Sequence, residues 1–320
     1  MLLAIIQMVI ACLLWGAIFA VPIYLKDFCC TDIVLGRFLV YGILSLAVLL
    51  FYFCIKRQWH FLKYWKEASY IALVMNFAHF GALTLGIQFT CGSLMTLLVG
   101  ISPITIIFLS QRMKKEKGTL STFLWPSLLI VAGLALANIE ALLAETTDIF
   151  TWEYCKGIIF GLIALATWTW YVVYNGQFMQ MHPEVTSYQW TALIGAMTFL
   201  FSTIAIAFFY LPSGIDYFHQ YHWAGERGQL FLAASVLLGV FCSWVAFVFW
   251  NAASVHVSAA LAGQLTILET IFGLTFVYVL EQSSPTLLEL LGIGLILIGV
   301  SSALYIQVQS AEKGLCDSFS

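Results

Sequence analysis

Residues Trp250 to Tyr305 read WNAASVHVSAALAGQLTILETIFGLTFVYVLEQSSPTLLELLGIGLILIGVSSALY. Two apolar segments, 257–280 and 286–307, flank a short polar turn that contains Pro285. Each is about 22 residues long, enough to cross ~30 Å of hydrocarbon as a helix at about 1.5 Å per residue. A single acid, Glu269, stands near the middle of the first segment. A carboxyl group at that depth is costly unless it is protonated, paired or facing water, so its default reading is functional. Ser258, Ala259, Ala260, Ala262 and Gly263 nearby suit close helix contact.

The rest of the chain has the same character. Of 320 residues, 62% are hydrophobic and only 9% charged, against roughly 25% charged in soluble domains. The composition is that of an all-α polytopic membrane protein. The net charge of −3 leaves no basic footprint for nucleic acid. The run from Leu2 to Leu25 is too long for a signal-peptide core and lacks a basic start, so it reads as a first span. Apolar runs between turns predict ten transmembrane helices, at 3–25, 33–55, 67–89, 92–111, 121–139, 157–179, 187–210, 229–251, 257–280 and 286–307.

Lys and Arg set the orientation. Lys56, Arg57, Lys63 and Lys66 fall between the second and third spans, and Arg112, Lys114, Lys115 and Lys117 between the fourth and fifth. With Lys313 they share one side, against Lys26, Lys156 and Arg227 on the other, which puts both termini in the cytoplasm. Trp152, Tyr217, Tyr221 and Trp223 in the outer loops read as interfacial anchors. Cys12, Cys54 and Cys242 sit in or at the ends of apolar runs as small hydrophobes. Cys29, Cys30, Cys91 and Cys155 fall in outer loops; free thiols are the expectation, a disulfide among them the alternative.

The halves repeat. A shift of 153 lays Ile5, Ile6, Ile10, Ala11, Trp15 and Gly42 on Ile158, Ile159, Ile163, Ala164, Trp168 and Gly195. A shift of 165 lays Ser93 on Ser258, Glu116 on Glu281 and His79 on Trp244. Five spans per repeat is an odd number, so the halves have opposite orientation, a plan typical of secondary transporters with a site near midplane.

Particular motifs sharpen this. LLWGA at 13–17, the Arg37–Phe38 pair, T-x-x-S at 90–93 and SPITIIFL at 102–109 resemble one EamA repeat. SAALAGQLTILE at 258–269, LEQSSPT at 280–286 and G-x-G-L-I-L-I-G at 292–299 resemble the second. The chain resembles the EamA-type family of the drug/metabolite transporter superfamily. That resemblance implies a first EamA-like repeat over 1–140, an outer linker at 141–156, a second repeat over 157–309 and a cytoplasmic tail at 310–320. It implies a central cavity lined mainly by spans 1–4 and 6–9, and export of amino-acid-like compounds as the commonest role. One position departs: family members often carry Pro after the acid of the ninth span, where this chain has Thr270. This weakens the expectation of a hinge there, while Pro103 remains in the fourth span.

Several residues are candidates for substrate binding or coupling. Glu269 is read as a proton site or the holder of a cationic group. Gln264, five residues earlier, projects at roughly 140° to it. Arg37, near the outer end of the second span, attracts a carboxylate, pairs with an acid or snorkels to headgroups. Asn76 and His79 lie three apart on one face, for substrate or for helix–helix hydrogen bonds. Trp15, Trp168, Trp244 and Tyr171 lead an aromatic set with Tyr41, Trp170, Tyr174, Trp190 and Trp250. Trp15 and Trp168 hold equivalent repeat positions, so an inverted two-fold has them facing each other. An aromatic wall with one carboxylate suits a quaternary ammonium through cation–π attraction, or an aromatic or apolar amino acid through stacking. Ordinary core and lipid packing is the competing reading.

Asp216-x-x-His219-x-x-His222 has ligand chemistry but lies in an outer loop with no fixed period, and no metal or other cofactor is expected. Enzyme motifs are absent: no G-x-S-x-G, no Gly-rich phosphate loop with Lys, no H-E-x-x-H. No cytoplasmic loop is large enough for an ATPase. The leading expectation is a secondary transporter in a bacterial inner membrane. Its expected partners are a small-molecule substrate and the lipid bilayer, with proton coupling or exchange, the chain acting as monomer or homodimer. Import of choline or another quaternary amine is the alternative, and a membrane-embedded scaffold or enzyme subunit the rival from another class.

Overall fold

The computed structural model describes residues 1–19, 21–25, 28–114, 119–144, 151–210 and 225–319. All regular structure among them is helical. The helices are α1 Leu2–Gly16, α2 Cys30–Phe51, α3 His60–Phe89, α4 Gly92–Met113 and α5 Thr119–Ala144, then α6 Trp152–Met181, α7 Ser187–Tyr210, α8 Glu226–Ser254, α9 Ala259–Glu281 and α10 Leu287–Phe319. Nine of these, α2 to α10, are long and apolar enough to cross a membrane.

The first span differs from expectation. α1 has 15 residues, then gives way to a 3₁₀ turn at Ala17–Phe19 and a single helical turn at Val21–Tyr24. Pro22 has no N–H to offer the carbonyl of Ile18, so an α-helical ladder cannot run through this point. Elsewhere the helices outrun the predicted spans. α3 starts with a 3₁₀ turn at His60–Tyr64, so Lys63 and Lys66 are helical rather than in a loop. α10 continues through Phe319 into the expected tail.

Local chemistry fixes the starts. Thr186 and Gln189 form a capping box at α7: the Thr186 N–H donates to Gln189 Oε1 at 3.0 Å and the Gln189 N–H to Thr186 Oγ1 at 3.3 Å. Thr286 and Glu289 do the same for α10. Each box satisfies two N–H groups that a helix start otherwise leaves unpaired. Ser258 Oγ caps α9 through the Leu261 N–H.

Four helices are irregular. α3 widens into a π-helical stretch at Ala72–His79, and α8 at Leu237–Val245. α4 turns at Ile101, where Pro103 denies the Val99 carbonyl its donor. α9 is interrupted at Ile267, between Ala259–Thr266 and Leu268–Glu281, although Thr270 is not proline. There Thr266 Oγ1 bonds back to the Ala262 carbonyl at 2.8 Å, and the Thr270 N–H takes the Ile267 carbonyl three residues back. Side-chain back-bonding competes with the backbone ladder and bends helices without proline.

α1 packs against α8 and α9, and α6 against α3 and α4. α2 lies along α7, α5 along α10, and α4 crosses α9. The α5–α10 crossing is close: a Cβ on Gly133 would sit 2.6 Å from the Gly292 carbonyl oxygen. Polarity is inside out. Asn76, Asn175, Thr191, Asn251 and Gln264 are buried, whereas Leu50, Phe208, Leu232 and Leu291 are exposed. Internally satisfied backbone under an apolar exterior is what a bilayer demands. Cys12, Cys29, Cys54, Cys91, Cys155 and Cys242 all stand as thiols. Trp152 is exposed at the start of α6; Tyr217, Tyr221, Trp223 and the Asp216, His219, His222 set lie outside the described residues.

Candidate functional site

The centre is a cluster of rings drawn from five helices. Trp168 and Tyr171 are three apart on α6, and Phe247 and Trp250 three apart on α8, so each pair shares a helix face. Trp15 of α1 fits between them. Its ring centroid lies 6.0 Å from Trp168, 5.6 Å from Phe247 and 5.2 Å from Trp250. Trp168 meets Tyr171 at 5.7 Å and Trp250 at 6.3 Å. Tyr41 of α2 reaches Phe247 at 5.9 Å, and His79 of α3 reaches Trp168 at 5.5 Å. These separations and tilts are those of favourable aromatic pairs, each adding about 0.5–1.5 kcal/mol beyond the area it buries.

Two polar atoms in the cluster are left over. Tyr171 Oη and Trp250 Nε1 are buried with no hydrogen-bond partner, in residues only 1% exposed. Leaving a buried donor unpaired costs about 1–3 kcal/mol. Both are donors, so a bound group with an acceptor would satisfy them.

A polar chain runs behind the rings. Trp190 Nε1 donates to Asn175 Oδ1 at 2.9 Å, Asn175 Nδ2 to Asn251 Oδ1 at 2.8 Å, and Asn251 Nδ2 to Thr191 Oγ1 at 2.8 Å. Tyr41 Oη donates to the Thr191 carbonyl at 2.9 Å. The chain locks α6, α7 and α8 together beside Trp250. Sequence reading overlooked Asn175, Asn251 and Phe247; the signal was two Asn in otherwise apolar spans.

Glu269 is half-buried and sits in the first turn of the second α9 segment, where the helix dipole favours an acid. Cys12 of α1 donates its thiol to the Leu265 carbonyl at 3.4 Å, just before the interruption. Gln264 turns the other way, its Nε2 donating to Ser127 Oγ of α5 at 2.6 Å. Glu269 and Gln264 therefore do not share one pocket.

Arg37 is buried rather than at a headgroup. Its Nε donates to Ser243 Oγ at 2.7 Å and its Nη2 to the Cys242 carbonyl at 3.1 Å. The Ala246 N–H, which in an α-helix would take that carbonyl, reaches Phe241 instead, so the guanidinium fills a gap in the widened part of α8. The ring of Phe80 lies 5.0 Å from its Cζ. Among the described residues no carboxylate comes within 4.0 Å of Arg37.

Asn76 and His79 go to different helices. Asn76 Nδ2 donates to Thr198 Oγ1 of α7 at 2.7 Å, leaving its Oδ1 unpaired. His79 Nδ1 lies 2.9 Å from the Ala164 carbonyl of α6; a carbonyl only accepts, so Nδ1 carries the hydrogen. Trp244 stands apart from the cluster, against Tyr188 at 5.9 Å. Trp170 stacks on Tyr174 at 4.6 Å and meets Tyr70.

At one end, the start of α3 meets the turn between α6 and α7. Tyr64 Oη donates to Glu184 Oε1 at 2.6 Å and lies 2.8 Å from His182 Nδ1. The hydroxyl of Tyr64, then the Glu184 backbone and neighbouring His182, hold the Glu184 carboxyl down at about 2.

An inside-out bundle of long apolar helices, with interrupted helices and a ring-lined polar centre, is a multi-pass membrane protein built as transporters are. Residues 155–305 match the EamA-like transporter family. The inner membrane protein YtfF of Escherichia coli (strain K12) is 28% identical over 326 aligned positions, covering 100% of this chain and 99% of that protein. A solved crystal structure shares the fold, with a TM-score of 0.73 at 18% identity over 96% of this chain and 98% of its own.

Proposed function

We propose that the chain is a secondary transporter that exports an amino-acid-like metabolite by alternating access. The observation that carries this reading is the buried ring cluster, assembled from α1, α2, α3, α6 and α8, with unpaired donors at Tyr171 and Trp250. Rings suit an apolar or aromatic side chain, and the two donors suit a carboxylate. The ammonium head of choline offers those donors no acceptor and its hydroxyl only one oxygen, whereas a carboxylate has two, which favours the amino-acid reading over choline import. Glu269 is assigned the proton or the substrate ammonium. Export follows the commonest role in the family the sequence resembles.

The architecture proposed is ten crossing helices in two inverted repeats of five. Exchanging each helix with the one five places along leaves the neighbours described above unchanged, as an inverted two-fold requires. The widened stretches of α3 and α8 correspond under the shift of 165, and the interruptions of α4 and α9 come within one residue of it. The basic loops set both termini in the cytoplasm, and the name of YtfF supports an inner membrane.

The test is a thermal-shift panel on purified protein at pH 6 and pH 8, with amino acids and quaternary amines, followed by counterflow in proteoliposomes. A ligand of the folded state raises the midpoint with concentration. An aromatic or apolar amino acid should do so, and Tyr171→Phe or Trp250→Phe should weaken it several-fold. A quaternary amine that binds equally well to both variants sinks the carboxylate reading. A total absence of counterflow sinks the transporter reading.

A further inference from the structure

The ring cluster does not account for the contacts at the end of the bundle where Lys and Arg are concentrated. There side chains at the start of α3 reach the α6–α7 turn and the start of α7. Tyr64 has one proton and gives it to Glu184; its short contact with His182 Nδ1 is then satisfied only if that nitrogen bears a hydrogen. His60 Nε2 donates to the Glu184 carbonyl at 2.9 Å, since a carbonyl can only accept. Lys63 Nζ stands 3.8 Å from Glu184 Oε1, and His182 Nδ1 3.4 Å. Gln189 Nε2 donates to Gln58 Oε1 at 3.0 Å. One half of the chain supplies Gln58, His60, Lys63 and Tyr64; the other supplies His182, Glu184 and Gln189.

We infer that the Tyr64–His182–Glu184 contact is a latch that closes the bundle at its basic end and opens in each cycle. This rests on the alternating-access reading. Two properties suit a latch better than a permanent tie. Glu184 and Lys63 are exposed, with side chains 42% and 60% accessible, so water competes for every bond and the contact is readily broken. The latch also connects to the ring cluster. Tyr64 packs on Phe178 at 5.1 Å, Phe178 stacks on Trp190 at 3.8 Å, and Trp190 donates to Asn175, which holds Asn251 beside Trp250. A change at Trp250 thus reaches the latch through packed rings and hydrogen bonds.

The corresponding elements of the other half meet at the opposite end in a different style. Arg227, at the start of α8, donates to the Tyr24 carbonyl at 3.1 Å and lies 5.8 Å from the ring of Phe28, which stacks on Phe231. Glu184 makes none of these contacts. A substitution at Glu184 therefore acts on one end alone.

Hydrogen–deuterium exchange of the full chain in lipid nanodiscs tests this on wild type, Tyr64→Phe and Glu184→Gln, with counterflow measured in parallel. Both variants should raise exchange several-fold at 58–66 and 181–189 while leaving 226–236 unchanged, and should alter the counterflow rate. Exchange equal to wild type in both variants overturns the latch. So does a rise throughout the chain, which would mark the contact as a structural tie. Local opening in the variants without counterflow by any of the three proteins would leave the contact a hinge but overturn the transport reading on which its role as a latch depends.

Discussion

Trp15 and Trp168 meet edge to face in the middle of the bundle, 6.0 Å apart at 76°, although 152 residues lie between them in the chain. A shift of 153 along the sequence lays one on the other. Each also contacts Trp250, so the three indoles form one closed set. Deleting a buried Trp side chain typically costs about 3–5 kcal/mol. Trp15→Ala and Trp168→Ala should each lower stability by roughly that much. The double variant should cost less than the sum, because residues in contact are not independent. Unfolding of the single and double variants in detergent checks this. Strict additivity would mean that the two rings do not support each other.

That pair was legible in the sequence because both Trp fall on the same repeat register. Most helices were legible too, since apolar length and polar turns mark nearly every one, whereas which helices pack together was not. The first span was not: its break depends on one missing N–H at Pro22. The interruption of α9 was not legible either: Thr270 in place of proline weakens the expectation of a hinge, whereas Thr266 and the carbonyl of Leu265 make bonds that a one-dimensional reading does not contain. Trp244 aligned with His79 but turns toward Tyr188, since aligned positions in a widened helix need not share a facing direction. Phe247 and Trp250, about one and two turns further along, take its place.

The Asn175–Asn251 pair bears on stability in a different way. Asn175→Ala removes the acceptor of Trp190 Nε1 and the donor of Asn251 Oδ1, both buried. Each orphaned group costs about 1–3 kcal/mol. Asn251→Ala strands Asn175 Nδ2 and Thr191 Oγ1. A double-mutant cycle on thermal unfolding should give a coupling of about 0.5–3 kcal/mol. A coupling near zero would show that the bond between the two amides contributes nothing.

Gly133 and Gly292 let α5 and α10 approach backbone to backbone. A Cβ at Gly133 would meet the Gly292 carbonyl and Ile296, and neither backbone can yield without moving a helix. Gly133→Val should therefore destabilise by at least the ~1–3 kcal/mol typical of overpacking. Folded yield and melting temperature measure it. Gly294, where a Cβ would meet nothing within 4 Å, is the control: Gly294→Ala should be neutral or slightly stabilising.

Glu269 is assigned the coupling role on its place at the α9 interruption. Glu269→Gln keeps the shape and removes the charge. It should leave exchange of substrate across the bilayer intact while abolishing accumulation driven by a pH gradient. Proteoliposomes with and without an imposed gradient separate the two. Gradient-driven accumulation at the wild-type rate in Glu269→Gln would end that assignment.

The latch makes a prediction about pH whose sign follows from Glu184. Its carboxyl is held at about 2 by the Tyr64 hydroxyl, the Glu184 backbone and His182, below the ~4.3 of a free glutamate. A depressed folded-state value stabilises the contact fully above the unfolded value and loses that stabilisation as pH falls through the folded one. The groups facing Glu184 are Tyr64, Lys63 and His60 from α3, and His182 from its own turn. From pH 3.5 to 8 the Glu184 charge is therefore nearly constant. Exchange at 181–189, corrected for intrinsic rates, should keep a Glu184→Gln increment at pH 3.5 nearly as large as at pH 8. If the increment largely vanishes at pH 3.5, the carboxylate is protonating near its free value of ~4.3, and the hydroxyl of Tyr64 is not holding it.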